Sequence, residues 1–356
     1  MASSGINFEG LTPSNGALRN LAELIFLEQL GEDKLGQIIT FLTGQEQGKK
    51  LGFVNPLGLV GRASDGCNPT YDHNAVTTSE KEWNFKEWQI AEQICYTELE
   101  GTLAEHYPQN GSDVADLTDE EYMDTIVRPL FEAAIPKLIF RLVFFGDTAI
   151  DGQLKDGVDP KFFNLFDGIF KQLFTGVTEG KTKRFTIEAN SKTTVDAQYE
   201  AMLAPGAATG VLDEIILRTP SKVLNQANRR FYVTDAFAKC LGLDIQRNNK
   251  GSDLQWESIF EGVKVAKYQG YEVVALEQWD EIIQDYLKNT TNADAYDKPF
   301  RVVFGSKDNF RAGTKSQEAI AVLKAFFVEK EQMNYLLAKD TLDAKVAAEE
   351  YAVVAY

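Results

Sequence analysis

Six pairs of adjacent apolar residues recur every four positions: Tyr122/Met123, Ile126/Val127, Leu130/Phe131, Ala134/Ile135, Leu138/Ile139 and Leu142/Val143. No other feature of the sequence constrains the fold as strongly. Four-residue spacing keeps the pairs along one side of an α-helix. A helix turns about 100° per residue, so each step overshoots by roughly 40° and the stripe winds around the rod. Over the whole series that is about half a circumference, more than one core can easily bury. The two ends of the helix are therefore expected to face different partners, within the chain or between chains. The simpler reading is an ordinary core helix of a large α/β protein. Pro129 and Pro136 interrupt the run, which predicts kinks or a fresh start with Pro136 in a first turn.

A second helix is expected, so that the pair spans Thr118 to Phe174. Asp159 can cap it and Pro160 can sit in its first turn. Phe162, Phe163, Phe166, Ile169, Phe170, Leu173 and Phe174 follow at helical spacing, and Thr175 and Gly176 end it. A face with no charge predicts full burial.

The length of 356 residues suggests about two domains. Hydrophobic content of 44% and charged content of 25% belong to a globular chain and argue against disorder. No apolar run reaches membrane-spanning length and no signal-peptide pattern opens the chain, so an intracellular product is expected. Cys67, Cys95 and Cys240 are far apart and odd in number, which argues against a disulfide framework or zinc knuckle. His73 and His106 are the only histidines, too few for a multi-histidine metal site. A net charge of −17 should repel naked nucleic acid.

Residues 1–48 read as an arm with one helix presenting Leu18, Leu21, Ala22, Ile25, Phe26 and Leu30, and a short second helix near Leu35–Leu42. Strand sequence at Phe53–Val60 and Val76–Ile94 flanks a turn-rich tip and suggests a long hairpin. Trp83, Phe85 and Trp88 would be costly to leave wet unless a neighbour covers them. Two ordinary sheet strands with a long loop fit equally well. Further strands are expected at Lys181–Asn190, Arg230–Thr234, Val263–Leu276 (split by Gly270) and Phe300–Phe304, and in alternation near the end at Tyr351, Val353 and Ala355. Helices are expected at Ser221–Asn228, at Ala236–Leu241 behind Asp235, and at Gln278–Leu287. Leu254–Phe260 and Gln317–Phe327 have mixed character.

The chemical motifs are weak. Gly176 to Thr182 resembles a phosphate-binding loop, but has three residues between its glycines where four are needed, and follows a helix rather than a strand. Gly44 to Lys49 shares the defect. Asp113, Asp116, Asp119, Glu120, Glu121 and Asp124 suit a helix start, and neither they nor Asn292, Asp294 and Asp297 have EF-hand spacing. Small basic clusters at Lys181/Lys183/Arg184, Arg229/Arg230 and Lys307/Arg311 read as solvated faces or ion-pair partners. No catalytic, cofactor-binding or metal-ligating set stands out.

Several local stretches resemble one family: Leu11 to Ala17, Phe166-Asp167-Gly168-Ile169, Phe231-Tyr232-Val233-Thr234, Tyr268 with Gly270, Val302 to Phe304, Asp308-Asn309 and Gly313-Thr314. In order, they resemble the major capsid protein of tailed bacteriophages, in the branch of the crAss-like and related Bacteroidetes phages. The resemblance implies an α+β fold of the Hong Kong 97 type. Residues 1–48 would be an N-terminal arm, 49–90 an extended hairpin, 91–192 a peripheral domain with the spine helix, 193–315 an axial α/β domain, and 316–356 a return to the peripheral domain. It implies a non-enzymatic subunit that self-assembles as hexamers and pentamers into an icosahedral shell enclosing double-stranded DNA, made in the host cytoplasm and ending in the virion. Partners would be other copies of itself, a separate scaffolding protein, a portal and minor or decoration proteins, with DNA held without sequence specificity and no membrane. Hairpin residues Arg62, His73, Trp83, Phe85 and Trp88 would meet a neighbouring subunit. Ile126, Leu130, Ile135, Leu138 and Leu142 would pack the spine. An encapsulin-like compartment shares the implied fold, and an α/β nucleotide-binding enzyme is the reading from a different class.

Overall fold

The computed structural model describes residues 14–26, 35–54, 78–95, 127–248, 254–260, 262–317, 320–328, 330–331 and 333–356. Helix α1 (Asn15–Ile25) is capped by Ser14, whose hydroxyl accepts from the Ala17 amide at 3.1 Å. Its expected face, Leu18, Leu21, Ala22 and Ile25 with Phe26, is buried. Leu30 lies outside the described residues. Helix α2 (Leu35–Ile38) leads into strand β1 (Thr40–Leu42). Strands β2 (Lys50–Val54) and β3 (Thr78–Glu82) form an antiparallel two-stranded ribbon, and β4 (Lys86–Cys95) follows. The ribbon is the base of the expected hairpin; its tip, with Arg62 and His73, is outside the described residues.

The spine is α3 (Arg128–Phe145), followed by α4 (Ile169–Thr178), β5 (Lys183–Phe185), α5 (Val195–Met202), α6 (Ala207–Arg218) and α7 (Ser221–Leu224). Then come β6 (Arg229–Thr234), α8 (Asp235–Asn248), β7 (Glu257–Phe260), β8 (Val263–Tyr268), β9 (Tyr271–Leu276) and α9 (Glu277–Asp285). The chain closes with β10 (Val302–Ser306), β11 (Phe310–Gly313), β12 (Val322–Val328), β13 (Met333–Val346) and β14 (Ala352–Ala355). Gln269 and Gly270 both have positive φ, 48° and 83°, which is the backbone a two-residue turn between β8 and β9 requires.

Two sheets organise these elements. The larger has seven strands in the order β5-β14-β10-β6-β9-β8-β7, with β5/β14 and β6/β9 parallel and the rest antiparallel. In the smaller, β13 is the central strand. It pairs along Met333–Leu342 with β4, and on its other edge with β12 and then β11, which β1 joins in parallel.

Both faces of the larger sheet are buried. Phe231, Val233, Val273, Ala275, Val302 and Phe304 pack beneath α5, α6 and α8. The alternate residues Tyr232, Val274, Val303 and Val354 belong to a second core containing α3, α4 and α9. Covering on both sides explains the unbroken apolar runs in β6 and β10. That second core also takes the inner face of the smaller sheet, including Trp88, Leu336, Ala338 and Leu342. The C-terminal half of the spine therefore lies between the two sheets. Leu138 to Phe145 is buried on every side except at Arg141.

Several expectations are corrected. The second helix begins at Ile169, not Asp159. Asp159 instead caps a single 3-10 turn, Pro160–Phe162, by accepting from the Lys161 amide at 2.9 Å. Phe162, expected in a buried face, is 56% exposed because that turn points it outward. Helix α4 runs past Gly176 to Thr178, and Gly180, with φ 75°, makes the reversal. Pro136 is inside α3 rather than at a helix start. The boundaries at 192/193 and 315/316 do not divide the sheets: β5 and β14 lie in the larger sheet and β11 in the smaller. The expected return of 316–356 to a single domain thus splits, with β12 and β13 in one sheet and β14 in the other.

The junction between spine and α4 is backbone against backbone. The Gly168 amide donates to the Gly146 carbonyl at 2.7 Å. A Cβ at Gly168 would stand 2.7 Å from the Val143 carbonyl oxygen, and one at Gly146 would stand 2.5 Å from those of Leu142 and Phe166. Neither neighbour is a side chain that can swing away. Gly168→Ala should therefore cost about 1–3 kcal/mol, as over-packing does. Gly180→Ala meets nothing within 4 Å and should cost only about 1 kcal/mol, through its positive φ. Urea unfolding of the unassembled chain checks the order, and equal losses would contradict the close-approach argument.

Candidate assembly interface

The root of the hairpin is fixed to the body by polar contacts and by two stacked rings. Gln47 spans the turn between β3 and β4, its Oε1 accepting from the Phe85 amide at 2.9 Å while its Nε2 donates to Asn84 Oδ1 at 3.1 Å. The Asn84 amide donates to Asp343 Oδ2 at 2.7 Å. Asp343 is fully buried, pairs with Lys345 at 3.0 Å and takes the Ala344 amide. Lys81 pairs with Glu349 at 2.6 Å. Trp83 and Phe85 stack with ring centroids 5.3 Å apart, covered by Leu51, Leu42 and Ala347.

This corrects the expectation that Trp83, Phe85 and Trp88 meet a neighbouring subunit. All three are buried within their own chain, Trp88 in the core shared by the two sheets. The turn at Asn84 puts Trp83 and Phe85 on the same side, facing the corner after β13. The ring of Trp83 comes within 3.3 Å of where a Cβ at Gly313 would be. Arg62 and His73 lie outside the described residues.

The spine residues divide. Ile135, Leu138 and Leu142 are buried in the chain, whereas Leu130 is 41% exposed and Ile126 lies outside the described residues. The N-terminal half of α3 forms one wall of an open cleft of about 1160 Å³. The start of α8 and the length of α9 form the opposite wall, with Tyr199 of α5 and Leu203 just after that helix. Leu243 at this cleft is 41% exposed. Elsewhere Leu217 on α6, Ile259 on β7 and Phe326 on β12 are also open to solvent. These are surfaces another chain could cover. The buried stripe of α6 is Ala208, Leu212 and Ile215, and Leu217 falls off it, a spacing visible in the sequence.

The nucleotide-loop alternative has no free donors. The amides of Glu179, Gly180, Lys181 and Thr182 all donate to carbonyls at the end of α4, namely Thr175, Val177 and Gly176. Thr182 is buried and its hydroxyl donates to the Glu349 carbonyl, while Lys181 pairs with Glu179 at 2.6 Å. A loop whose N–H groups close a helix cannot also wrap a phosphate. In Gly44 to Lys49, the amides of Gly44, Gln45 and Gly48 go to Ser316, Thr314 and Trp83. Asp297 is the ion-pair partner of buried Arg301 at 3.0 Å. No cluster of three potential metal ligands occurs among the described residues. The acidic run from Asp113 to Asp124 lies outside them.

No protein-family model matches the sequence, and no curated protein matches it. Solved structures do match. The fold is a mixed α+β architecture of the Hong Kong 97 type, shared with phage capsid structures. A chain of the satellite phage P4 procapsid, which includes the size determination (Sid) protein, superposes with a TM-score of 0.51 at 8% identity, covering 94% of this chain and 97% of that one. A chain from Gordonia phage Cozz gives 0.48 at 12% identity, over 90% and 84% of the two chains. One from the capsid of a native GTA particle gives 0.47 at 14% identity, over 91% and 90%.

At the floor of the cleft, Asp280 is 8% exposed and its Oδ2 accepts from the Ala236 amide at 3.0 Å. Burial pushes its carboxyl up to about 7; the Ala236 amide opposes this and Asp235 adds to it. Between about pH 4, where an ordinary aspartate ionises, and pH 7 the folded chain keeps a proton the unfolded chain has lost. The contribution of this group to stability therefore falls as pH rises through that window, and levels off above it. Asp280→Asn should remove the fall. Relative to the parent, the variant should gain on the order of 1–4 kcal/mol between about pH 5 and pH 8. Urea unfolding of the unassembled chain at both values is the check, and parallel pH profiles would rule it out.

Proposed function

We propose that this chain is a major capsid protein, which assembles as hexamers and pentamers into the icosahedral shell around the double-stranded DNA genome of a tailed phage. The observation that carries the reading is the end-to-end match of fold to a phage procapsid chain, with nearly all of both chains included. The smaller sheet with the spine is the peripheral domain in this reading, and the larger sheet with α5 to α8 the axial domain. The crAss-like branch is our reading of the local sequence stretches that resemble it. A separate scaffold and a portal follow from the same reading, as do assembly in the host cytoplasm and residence in the virion.

The role is structural rather than enzymatic. The phosphate-loop motif, which favoured an enzyme, spends its amides on closing α4. The hairpin is the expected clasp: its root is pinned at Gln47, Asn84 and Asp343, so a load on the ribbon would pass to β13. The clasp itself would lie in residues 55–77.

Negative-stain microscopy of the purified chain, alone and with lysate from its host, tests the reading. Closed shells of uniform size are expected, and packaged DNA in them separates a virion shell from an empty compartment. A discrete small oligomer under every condition would overturn the proposal. Deletion of Gly61 to Asn74 should leave a folded subunit, with unchanged far-ultraviolet circular dichroism, that forms no shells. Normal shells from the deletion would refute the clasp.

A further inference from the structure

The loop that joins the spine to α4 makes two successive turns of one design. In the first, the Gln153 amide donates to the Ile150 carbonyl at 2.9 Å, and in the second the Val158 amide donates to the Lys155 carbonyl at 3.2 Å. Each turn has Asp-Gly at its centre, Asp151-Gly152 and Asp156-Gly157. The two glycines have φ of 80° and 90°, the left-handed backbone that suits glycine at the third position of a turn. Between the turns the loop is tied to the chain just after α9. Leu154 bridges to Leu287, the Lys155 amide donates to the Tyr286 carbonyl at 2.9 Å, and the Lys288 amide donates to that of Gln153 at 2.8 Å.

An aspartate followed by glycine can rearrange with no catalyst and no oxidant. The glycine nitrogen attacks the side-chain Cγ, and the new N–Cγ bond closes a five-membered succinimide. The carboxyl hydroxyl leaves as water with the amide proton. Water then adds to the main-chain carbonyl of the aspartate, and the bond from that carbon to the nitrogen breaks. The chain now runs through Cγ as an isoaspartate, one backbone atom longer and unchanged in composition. Three groups must be free: the carboxyl, the glycine amide and the aspartate carbonyl. In both turns they are. All four residues are exposed, and a Cβ on either glycine would meet nothing within 4 Å. Among the described residues neither glycine amide donates a hydrogen bond and neither aspartate carbonyl accepts one. The Asp151 carboxyl has no partner there, and Asp156 has only the Lys288 ammonium at 3.8 Å. The same dipeptide at Asp167-Gly168 is held at all three groups. Asp167 Oδ1 accepts from the Thr148 amide at 2.9 Å and hydroxyl at 2.8 Å, and the Asp167 carbonyl accepts from Gln172 Nε2 at 2.7 Å. The Gly168 amide donates to the Gly146 carbonyl at 2.7 Å. A fourth copy, Asp65-Gly66, lies outside the described residues.

We propose that Asp151 and Asp156 are sites of spontaneous isoaspartate formation in the folded chain, and that the fold protects Asp167 from the same reaction. The chemistry is independent of the shell reading. The two sites flank the Leu154–Leu287 bridge, so each conversion lengthens the backbone on one side of the loop's attachment beside α9.

The purified chain is incubated at physiological temperature in mildly acidic buffer, once folded and once denatured in guanidinium chloride, and then digested with trypsin. Cuts after Arg141, Lys155, Lys161 and Lys171 put the three sites on separate peptides, 142–155, 156–161 and 162–171. An isoaspartate at 156 slows the cut after Lys155, so the joined peptide 142–161 is read as well. Isoaspartate has the mass of aspartate and is distinguished by chromatographic separation and electron-transfer fragmentation; the succinimide is lighter by one water. In the folded chain Asp151 and Asp156 should both convert, and Asp167 should be slower by about tenfold or more, because its reaction waits on local opening. In the denatured chain the three should convert at similar rates. Gly157→Ala, whose Cβ enters open space, should slow conversion at Asp156 and leave Asp151 unchanged. Equal conversion of all three sites in the folded chain would overturn the protection. Absence of isoaspartate at both turns, where the denatured chain forms it, would overturn the sites, and conversion at only one turn would overturn the assignment of the other.

Discussion

Arg301 holds the two halves of the fold in register. Its guanidinium is 3% exposed and lies over the rings of Phe145, Phe170 and Phe174, at 5.2, 4.9 and 5.7 Å from their centroids. Phe145 ends the spine, the other two belong to α4, and Arg301 immediately precedes β10 of the larger sheet. Burying a guanidinium costs several kcal/mol unless its donors are satisfied. Here Nε donates to the Lys298 carbonyl at 3.1 Å, and one terminal nitrogen reaches Asp297 Oδ2 at 3.0 Å and its carbonyl at 3.2 Å. The turn that aims these carbonyls requires Lys298 at φ 47°, an unfavourable left-handed backbone for a non-glycine residue. Trp279 packs on Phe144, Phe145 and Phe170 at the same junction, so α9 is tied in as well. Remove the cation and three aromatic faces lose the charge that orients them. The spine and α4 would keep the Gly168–Gly146 hydrogen bond and the Lys171–Asp147 ion pair, but would lose the charged contact that ties both to the start of β10.

Much of this architecture was readable from the sequence where local rules acted alone. The stripe of α1 from Leu18 to Phe26, the split of Val263–Leu276 at Gly270, and the runs Phe231–Thr234 and Val302–Phe304 all fold as the pattern says. The failures share one cause, which is a buried polar group or a chain reversal that local pattern does not register. β13 alternates buried and half-buried for most of its 14 residues. Yet its inward positions include Asn334 and Asp340, and Asp343 is buried on the opposite face under the turn at Asn84, so the apolar rhythm is broken in sequence. Asp340 is tolerable there because Thr314 and Ser316 hydroxyls and the Thr341 amide donate to it. Gly176 looked like a helix end. In the fold it lies within α4, because Thr182 folds back so closely that a Cβ would meet its hydroxyl at 2.5 Å.

The candidate surface was legible in part, and for the same reason. The winding stripe of the spine correctly marks a helix with more than one partner. Sequence could not say that both sheets of the same chain supply those partners for its C-terminal half. Likewise, Trp83, Phe85 and Trp88 announce a need for cover, but the cover comes from Leu51, Ala347 and the shared core rather than a neighbour. The buried carboxyl of Asp280 was invisible, because its surroundings form only when α9 meets the start of α8 and the spine.

What remains uncovered has a pattern of its own. Among the described residues, Leu130, Phe162, Leu217, Leu243, Ile259 and Phe326 are the exposed large apolar side chains, and they lie on six different segments. A single large apolar face would favour one strong pairing and a dead-end dimer. Isolated exposed apolar side chains each contribute little to any pairing alone. The internal packing must then be strong without help from neighbours, and the enclosed spine, the glycine crossing at Gly146 and Gly168 and the cation at Arg301 supply that. A chain so made is rigid at its centre and offers only small apolar contacts at its edges.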